Sequence, residues 1–215
     1  MLFPGDKPLD PRLLFTIGSE FLEPAGSVAL KGSIEFESED YSESGSFQMI
    51  MNRGDSLAFI IEGPFKIDIF RLVLVDKTAY TWDRNSEYWT VVRPDEKLEI
   101  PEYGIENLTP DFLGYFVFPQ YYSTGGLHFD SEKTLLSSPE YSFVLFPSRD
   151  KKTFAMENRE IGLRAIYSGR KSFAEGYYPS RIEISRPGNS WKISLEIEKV
   201  RLDPRISPNI WERNS

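Results

Sequence analysis

Cysteine is absent from the 215 residues. That excludes disulfides, thiolate metal sites and a cysteine nucleophile, and it leaves the redox compartment open. Histidine is nearly absent: His128 stands alone, in a stretch that reads as loop. No G-x-S-x-G, H-E-x-x-H, Walker or dinucleotide fingerprint is present, so no catalytic set or cofactor site is legible. Basic charge is in deficit, 25 Lys and Arg against 33 Asp and Glu, for a net charge of −8. Such a chain has no electrostatic purchase on nucleic-acid phosphates or anionic headgroups. No apolar run is long enough to span a membrane as a helix. The first residues, Met1-Leu2-Phe3-Pro4-Gly5-Asp6, lack the basic region and apolar stretch of a signal peptide. The acidic run Glu35, Glu37, Glu39, Asp40, Glu43 lacks calcium-loop spacing and reads as a solvated strand end and turn.

What is present is aromatic and turn-rich. Sixteen Phe and eleven Tyr accompany fifteen Gly and fifteen Pro, which favours strands and turns over helices. The simplest organisation is one domain over residues 1–215. Asp10-Pro11 opens a helix whose Leu13, Leu14, Ile17, Phe21 and Leu22 recur at helical spacing, stopping before Pro24. From Ser27 the period becomes two: Val28, Leu30, Gly32, Ile34 and Phe36 share one face, and Lys31, Ser33, Glu35 and Glu37 the other. Phe47, Met49 and Met51 continue the pattern, and short strands separated by turns run on to Val92 as an antiparallel meander. Residues 93–108 and 123–139 read as loop. Between them Thr109-Pro110-Asp111 starts a short helix crowded with Phe112, Leu113, Tyr115, Phe116 and Val117, closed by Pro119. So short a helix, apolar all round, needs cover from protein or ligand. Strands resume near residues 141–146, 153–156, 161–167, 181–185 and 191–202. The pattern predicts a mainly β chain of about ten or eleven antiparallel strands with two helices, most simply a barrel or a strongly curved sheet.

One turn breaks the usual rules. Glu62-Gly63-Pro64-Phe65-Lys66 joins two apolar strands and carries an aromatic where small polar residues belong. Phe65 either folds back as a plug or reaches outward for something apolar. The apolar face allows two readings as well, a lipid-sized cavity or a filled core. Tyr121-Tyr122 and Tyr177-Tyr178 are candidate aromatic platforms, and a hydrolase acting through His128 is a third and thinner reading.

The order of these elements resembles the LolA/LolB-like family of periplasmic lipoprotein carriers and outer-membrane lipoprotein receptors. The residues that carry the resemblance are Leu30-Lys31-Gly32-Ser33-Ile34-Glu35-Phe36, Ser44-Gly45-Ser46-Phe47, Gly63-Pro64-Phe65 and Asp76-Lys77-Thr78-Ala79-Tyr80. Tyr178-Pro179-Ser180-Arg181-Ile182-Glu183-Ile184, followed by residues 192–202, resembles the closing hairpin. The resemblance implies an unclosed antiparallel β-barrel with an N-terminal helix and a lid-like helix over an apolar cavity, a carrier that takes lipoprotein or lipid acyl chains into that cavity, with no catalytic residue, cofactor or metal. The implied lid and cavity residues are Phe112, Leu113, Phe116 and Val117 over Leu30, Ile34, Phe47, Met49, Phe59 and Ile61. Pro64 and Phe65 occupy the turn with which the receptor branch inserts cargo into the membrane. Arg53 stands where the carrier branch has an arginine that bonds the lid, although Gly54 replaces the proline that follows there. The expected setting is the periplasmic face of the outer membrane, as a monomer, with a lipid anchor on the full-length protein and no nucleic-acid partner. The alternative is a non-catalytic structural or interaction protein of the cell envelope with a filled β core.

Overall fold

The computed structural model describes residues 26–39, 41–52, 56–86, 88–100, 105–117, 128–130, 135–137, 142–147, 154–158, 162–173, 176–186, 188 and 191–211. The helix expected over residues 10–22, Arg53 and the Tyr121-Tyr122 pair lie outside them.

Strict alternation builds the first half. β1 (Ser27–Glu37), β2 (Ser42–Asn52), β3 (Ser56–Glu62), β4 (Asp68–Val75), β5 (Thr78–Asp83) and β6 (Trp89–Val92) form a meander of antiparallel neighbours. β7 (Leu98–Ile100) and β8 (Ile105–Leu108) pair separately and lead into helix α1 (Phe112–Val117). Then come β9 (His128–Asp130), β10 (Leu135–Ser137), β11 (Ser142–Pro147), β12 (Phe154–Asn158), β13 (Leu163–Phe173), β14 (Gly176–Ser185) and β15 (Lys192–Leu202). β15 pairs with β1, which joins both halves into one thirteen-stranded sheet in the order β6-β5-β4-β3-β2-β1-β15-β14-β13-β12-β11-β10-β9. β6 and β9 are its ends and do not pair with each other, so the barrel is unclosed.

The loops expected over residues 93–108 and 123–139 hold β7, β8, β9 and β10. Strands of three or four residues are too short to display a period of two, and each of these pairs with its neighbours in sequence. The sheet therefore has more strands than the alternation reveals.

Most of the core lies on one face, and Ala29, Ile50, Ala58 and Val73 form a second buried row on the other. Leu30, Met49, Phe59 and Leu72 face one another across β1–β4 in register, all fully or almost fully buried. Ile34, Leu195, Ile182 and Tyr167 make a second inner row across β1, β15, β14 and β13. Outward-facing Lys31, Ser33 and Glu35 are exposed, as their alternation requires. On β4 the outer Val73 is buried as well as the inner Leu72, in keeping with a central strand apolar on both faces. Gly32 sits at the bulge between β1 and β15, where an added Cβ would lie 1.8 Å from the Glu196 carbonyl oxygen; only glycine fits.

Because the strands alternate in direction, the β1–β2, β3–β4, β5–β6 and β14–β15 connections share one end of the sheet. The other end carries the polar Asp76-Lys77 turn. There the Gly26 and Ser27 amides donate to Asp203 Oδ1 at 2.7 and 3.0 Å, which ties the start of β1 to the chain leaving β15.

Candidate functional site

Helix α1 is only six residues long, and every one of them is buried. Thr109-Pro110-Asp111 starts it as a turn: the Phe112 amide donates to the Thr109 carbonyl at 3.1 Å and the Tyr115 amide to the Asp111 carbonyl at 3.2 Å. Its last carbonyls cannot be satisfied within so short a helix. Two tyrosines from the sheet supply the donors. Tyr167 Oη on β13 donates to the Phe116 carbonyl at 2.7 Å, and Tyr178 Oη on β14 donates to the Val117 carbonyl. Burial drives both phenols far above the ordinary tyrosine range, so each keeps its proton and remains a donor at any working pH. At the other end of the helix, burial raises the Asp111 carboxyl above the usual aspartate value, although the hydroxyls of Tyr115 and Thr109 and the Lys77 charge favour its ionised form. Asp111 Oδ1 is buried and accepts no hydrogen bond.

Beneath α1 lies an apolar cavity. Phe112 and Leu113 roof it, Leu98 and Ile100 of β7 close one side, and Ile34, Phe59, Ile61, Phe70, Leu72 and Ile193 form the sheet wall. About 60 Å³ is open to the centre of a water-sized sphere. Apolar voids of ~150 Å³ stay dry and admit benzene, so this one is too small for an acyl chain while α1 is seated. Its rim carries Glu43, Ser44 and Gly45 at the start of β2. An outer polar groove lined by Ser33, Glu35, Ser46, Glu62 and Pro64 shares the wall of Ile34, Ser44 and Gly45. Arg181 spans that groove's far side, paired with Glu183 at 2.6 Å and Glu196 at 2.7 Å.

The β3–β4 turn stands beside this rim, because Ile61 and Ile69 on its two flanks line the cavity. The Gly63 amide donates to the Ile67 carbonyl at 2.9 Å and closes the turn. Phe65 adopts φ 63°, ψ 17°, and Lys66 has φ 58°. This left-handed region suits glycine or asparagine and costs a bulky residue roughly 1–2 kcal/mol. The Phe65 side chain returns nothing in packing, since it is 95% exposed, and Ile67 beside it is 46% exposed. Phe65 projects outward and does not fold back as a plug.

Among the residues assigned to lid and cavity, Phe112, Leu113, Ile34, Phe59 and Ile61 line the void. Leu30, Phe47, Met49, Phe116 and Val117 are buried in the surrounding core. Tyr178 is not a platform for a partner: it points inward and holds the helix. Tyr167 and Tyr178 are the site residues that sequence reasoning missed. The available signal was a tyrosine on the inward register of a strand, where an apolar residue belongs and a buried hydroxyl demands a partner. Among the described residues no group of acids and histidines is placed to hold a metal ion, and no helix is long and apolar enough to cross a membrane.

Fold and site together define a class: an open antiparallel β-barrel with an apolar cavity beneath a helix that the sheet latches. Solved structures share the fold over nearly their whole length. A DUF1329 family protein from Desulfovibrio piger superimposes with a TM-score of 0.58 at 9% identity, covering 96% of this chain and 98% of that one. A LolA superfamily protein from Nitrosomonas europaea gives 0.52 at 11% identity, with coverages of 94% and 96%. A putative outer membrane lipoprotein-sorting protein domain from Vibrio parahaemolyticus gives 0.51 at 6% identity, with coverages of 95% and 98%. No family model and no curated protein sequence matches the chain. The protein has the LolA/LolB-like fold.

Proposed function

We propose that the protein binds acyl chains of lipoproteins or lipids between α1 and the inner face of the sheet and aids their insertion into the outer membrane. The observation that carries this reading is Phe65: a bulky apolar residue held in left-handed backbone, almost wholly in water, next to the rim of an apolar cavity. Strain without packing in return is the mark of a functional constraint. The cargo class is suggested by the lipoprotein-sorting domain among the structural neighbours.

In this reading Phe112, Leu113, Phe116 and Val117 are the lid, and Leu30, Ile34, Phe47, Met49, Phe59 and Ile61 the surface it uncovers. Pro64 presets the turn and Phe65 is its membrane wedge. Tyr167 and Tyr178 hold the lid, the part that Arg53 plays in the family resemblance. Burying acyl methylenes is worth roughly 0.8 kcal/mol each against water, so release into water is prohibitive. Exchange between cavity and bilayer nearly cancels that quantity and leaves lid closure to set direction. The protein then works without catalysis as a monomer on the periplasmic face of the outer membrane, held there by a lipid anchor. A wedge residue contributes roughly 1.5–3 kcal/mol, which supplements an anchor and does not replace one.

Phe65→Glu is expected to fold and bind lipopeptide normally while abolishing delivery to vesicles; normal delivery refutes the role of the turn. The smallness of the void favours a second reading, the filled core of an envelope interaction protein. Native mass spectrometry with a diacylated lipopeptide decides between them: bound lipopeptide supports the carrier, and none at saturating concentration supports the filled core.

A further inference from the structure

The large apolar side chains most exposed among the described residues are not scattered. They are Phe65, Tyr88, Val91, Ile67 and Tyr41, at 95, 67, 51, 46 and 41% exposure. All but Val91 sit in the β1–β2, β3–β4 and β5–β6 connections, which share the end of the sheet where the cavity has its rim. The opposite end is built differently. There the left-handed positions of the β4–β5 turn belong to Asp76 and Lys77, the residue types that such turns favour.

The register shows that the three tips belong together. Along the ladder from β2 to β5, each successive tip is displaced in the same direction, with β2 starting beyond the level of Glu62 and β5 ending short of the level of Asp68. That progression is the stagger of tilted barrel strands, and it lets hairpins displaced along the ladder end on a common rim. The tips are also held in place. Tyr41 packs against Phe36 with ring centroids 6.3 Å apart and donates its hydroxyl to Glu43 Oε2 at 2.5 Å. Asp83 fastens the β5–β6 turn ahead of Tyr88 by accepting from the Asn85 and Ser86 amides at 2.8 and 2.9 Å. Rigid exposed aromatics lose little conformational freedom on contact.

We propose that the protein docks end-on to a phospholipid bilayer through these three tips. Phe65 and Ile67 enter the acyl region, and Tyr41 and Tyr88 rest at headgroup level on either side, where tyrosine's apolar ring and polar hydroxyl are both satisfied. The proposal rests on the membrane role of Phe65 and adds to it the contact surface and its orientation, with the cavity rim turned toward the lipid. The charges nearby identify the lipid. Glu37, Glu39, Glu43, Glu62, Asp68 and Asp83 border the tips against Lys66, Arg71, Arg84 and Lys192, with Arg71 paired to Asp68 and Lys192 to Glu37, so that acids remain in excess. Such a rim suits a zwitterionic surface and repels an anionic one.

The test is partition of the intact protein onto phosphatidylcholine vesicles, read by flotation, for Tyr41→Ser, Tyr88→Ser, Phe65→Ser and Val91→Ser, in low and high salt. Each tip substitution is expected to weaken partition, by about tenfold at Phe65 and severalfold at each tyrosine. Val91→Ser, on the outer sheet face, is expected to leave it unchanged, as is raised salt. Tyr41→Phe, which keeps the ring and removes the bond to Glu43, binds like the parent and separates ring contact from turn stability. If only Phe65→Ser weakens binding, the three-tip surface is wrong and the Phe65 reading survives. If Phe65→Ser also binds normally, both fall. Equal loss in Val91→Ser, or loss of binding in high salt, overturns end-on docking by apolar contact.

Discussion

Removing the hydroxyls of Tyr167 and Tyr178 tests how α1 is held. Tyr178→Phe keeps the ring volume and deletes one donor, which leaves the Val117 carbonyl buried without a partner. That omission costs roughly 1–3 kcal/mol, and Tyr167→Phe deletes the donor to the Phe116 carbonyl. The two bonds end on adjacent residues, so the double substitution costs less than the sum. Both costs fall on the seated helix, because a displaced α1 exposes its carbonyls to water. Each substitution therefore shifts the lid equilibrium toward opening by about fivefold to a hundredfold. In water α1 stays seated: Phe112, Leu113, Phe116 and Val117 together keep roughly 6–12 kcal/mol of apolar burial that displacement would forfeit. The shift becomes visible when an amphiphile occupies the vacated surface. Titration with an environment-sensitive hydrophobic dye should show about tenfold tighter uptake for Tyr178→Phe. Hydrogen exchange of the α1 amides should accelerate while the inner strands keep their protection. Unchanged dye affinity together with a global loss of stability in urea would show that the tyrosines are core struts, and would refute the latch.

Three further outcomes follow from single positions. Phe65→Gly relieves left-handed strain of roughly 1–2 kcal/mol and adds about 0.4–1 kcal/mol of unfolded-chain entropy; its urea midpoint should equal or exceed the parent's while vesicle delivery is lost, and a lower midpoint would show that Phe65 packs. Asp111 carries a carboxyl raised by burial, so the folded protein retains a proton that the unfolded chain has released. Its contribution is complete below the ordinary aspartate pKa and is lost as pH rises through the raised value; the stability difference between Asp111→Asn and the parent should accordingly grow from acid toward neutral pH, and a flat difference would show that the group is not buried. Gly32→Ala drives a Cβ against the Glu196 carbonyl oxygen and should cost several kcal/mol in urea denaturation or prevent folding; a midpoint within a few tenths of a molar of the parent's would mean that the bulge yields.

Alternation and turn residues displayed β1 to β6, because a one-residue slip would turn the large inner side chains of β1 and its neighbours outward. They also marked α1 through Thr109-Pro110 and its all-apolar run, and they singled out Phe65 as a residue at odds with its turn. The short strands β7 to β10 were illegible, since three or four residues carry no period. Tyr178 looked like surface aromatic matter beside Tyr177, because a sequence does not say which tyrosine faces inward.

What the sequence determined by itself is the local periodicity, the missing catalytic and thiol chemistry, and the odd turn at Gly63-Pro64-Phe65. Each follows from residue type and spacing. Only the tertiary structure decided that β1 closes on β15, that two tyrosines far along the chain bind the carbonyls of α1, and that the exposed aromatic tips gather at the cavity's rim. These are relations between residues as many as 177 positions apart, as for Gly26 and Asp203. They depend on strand direction and register, which no local pattern encodes.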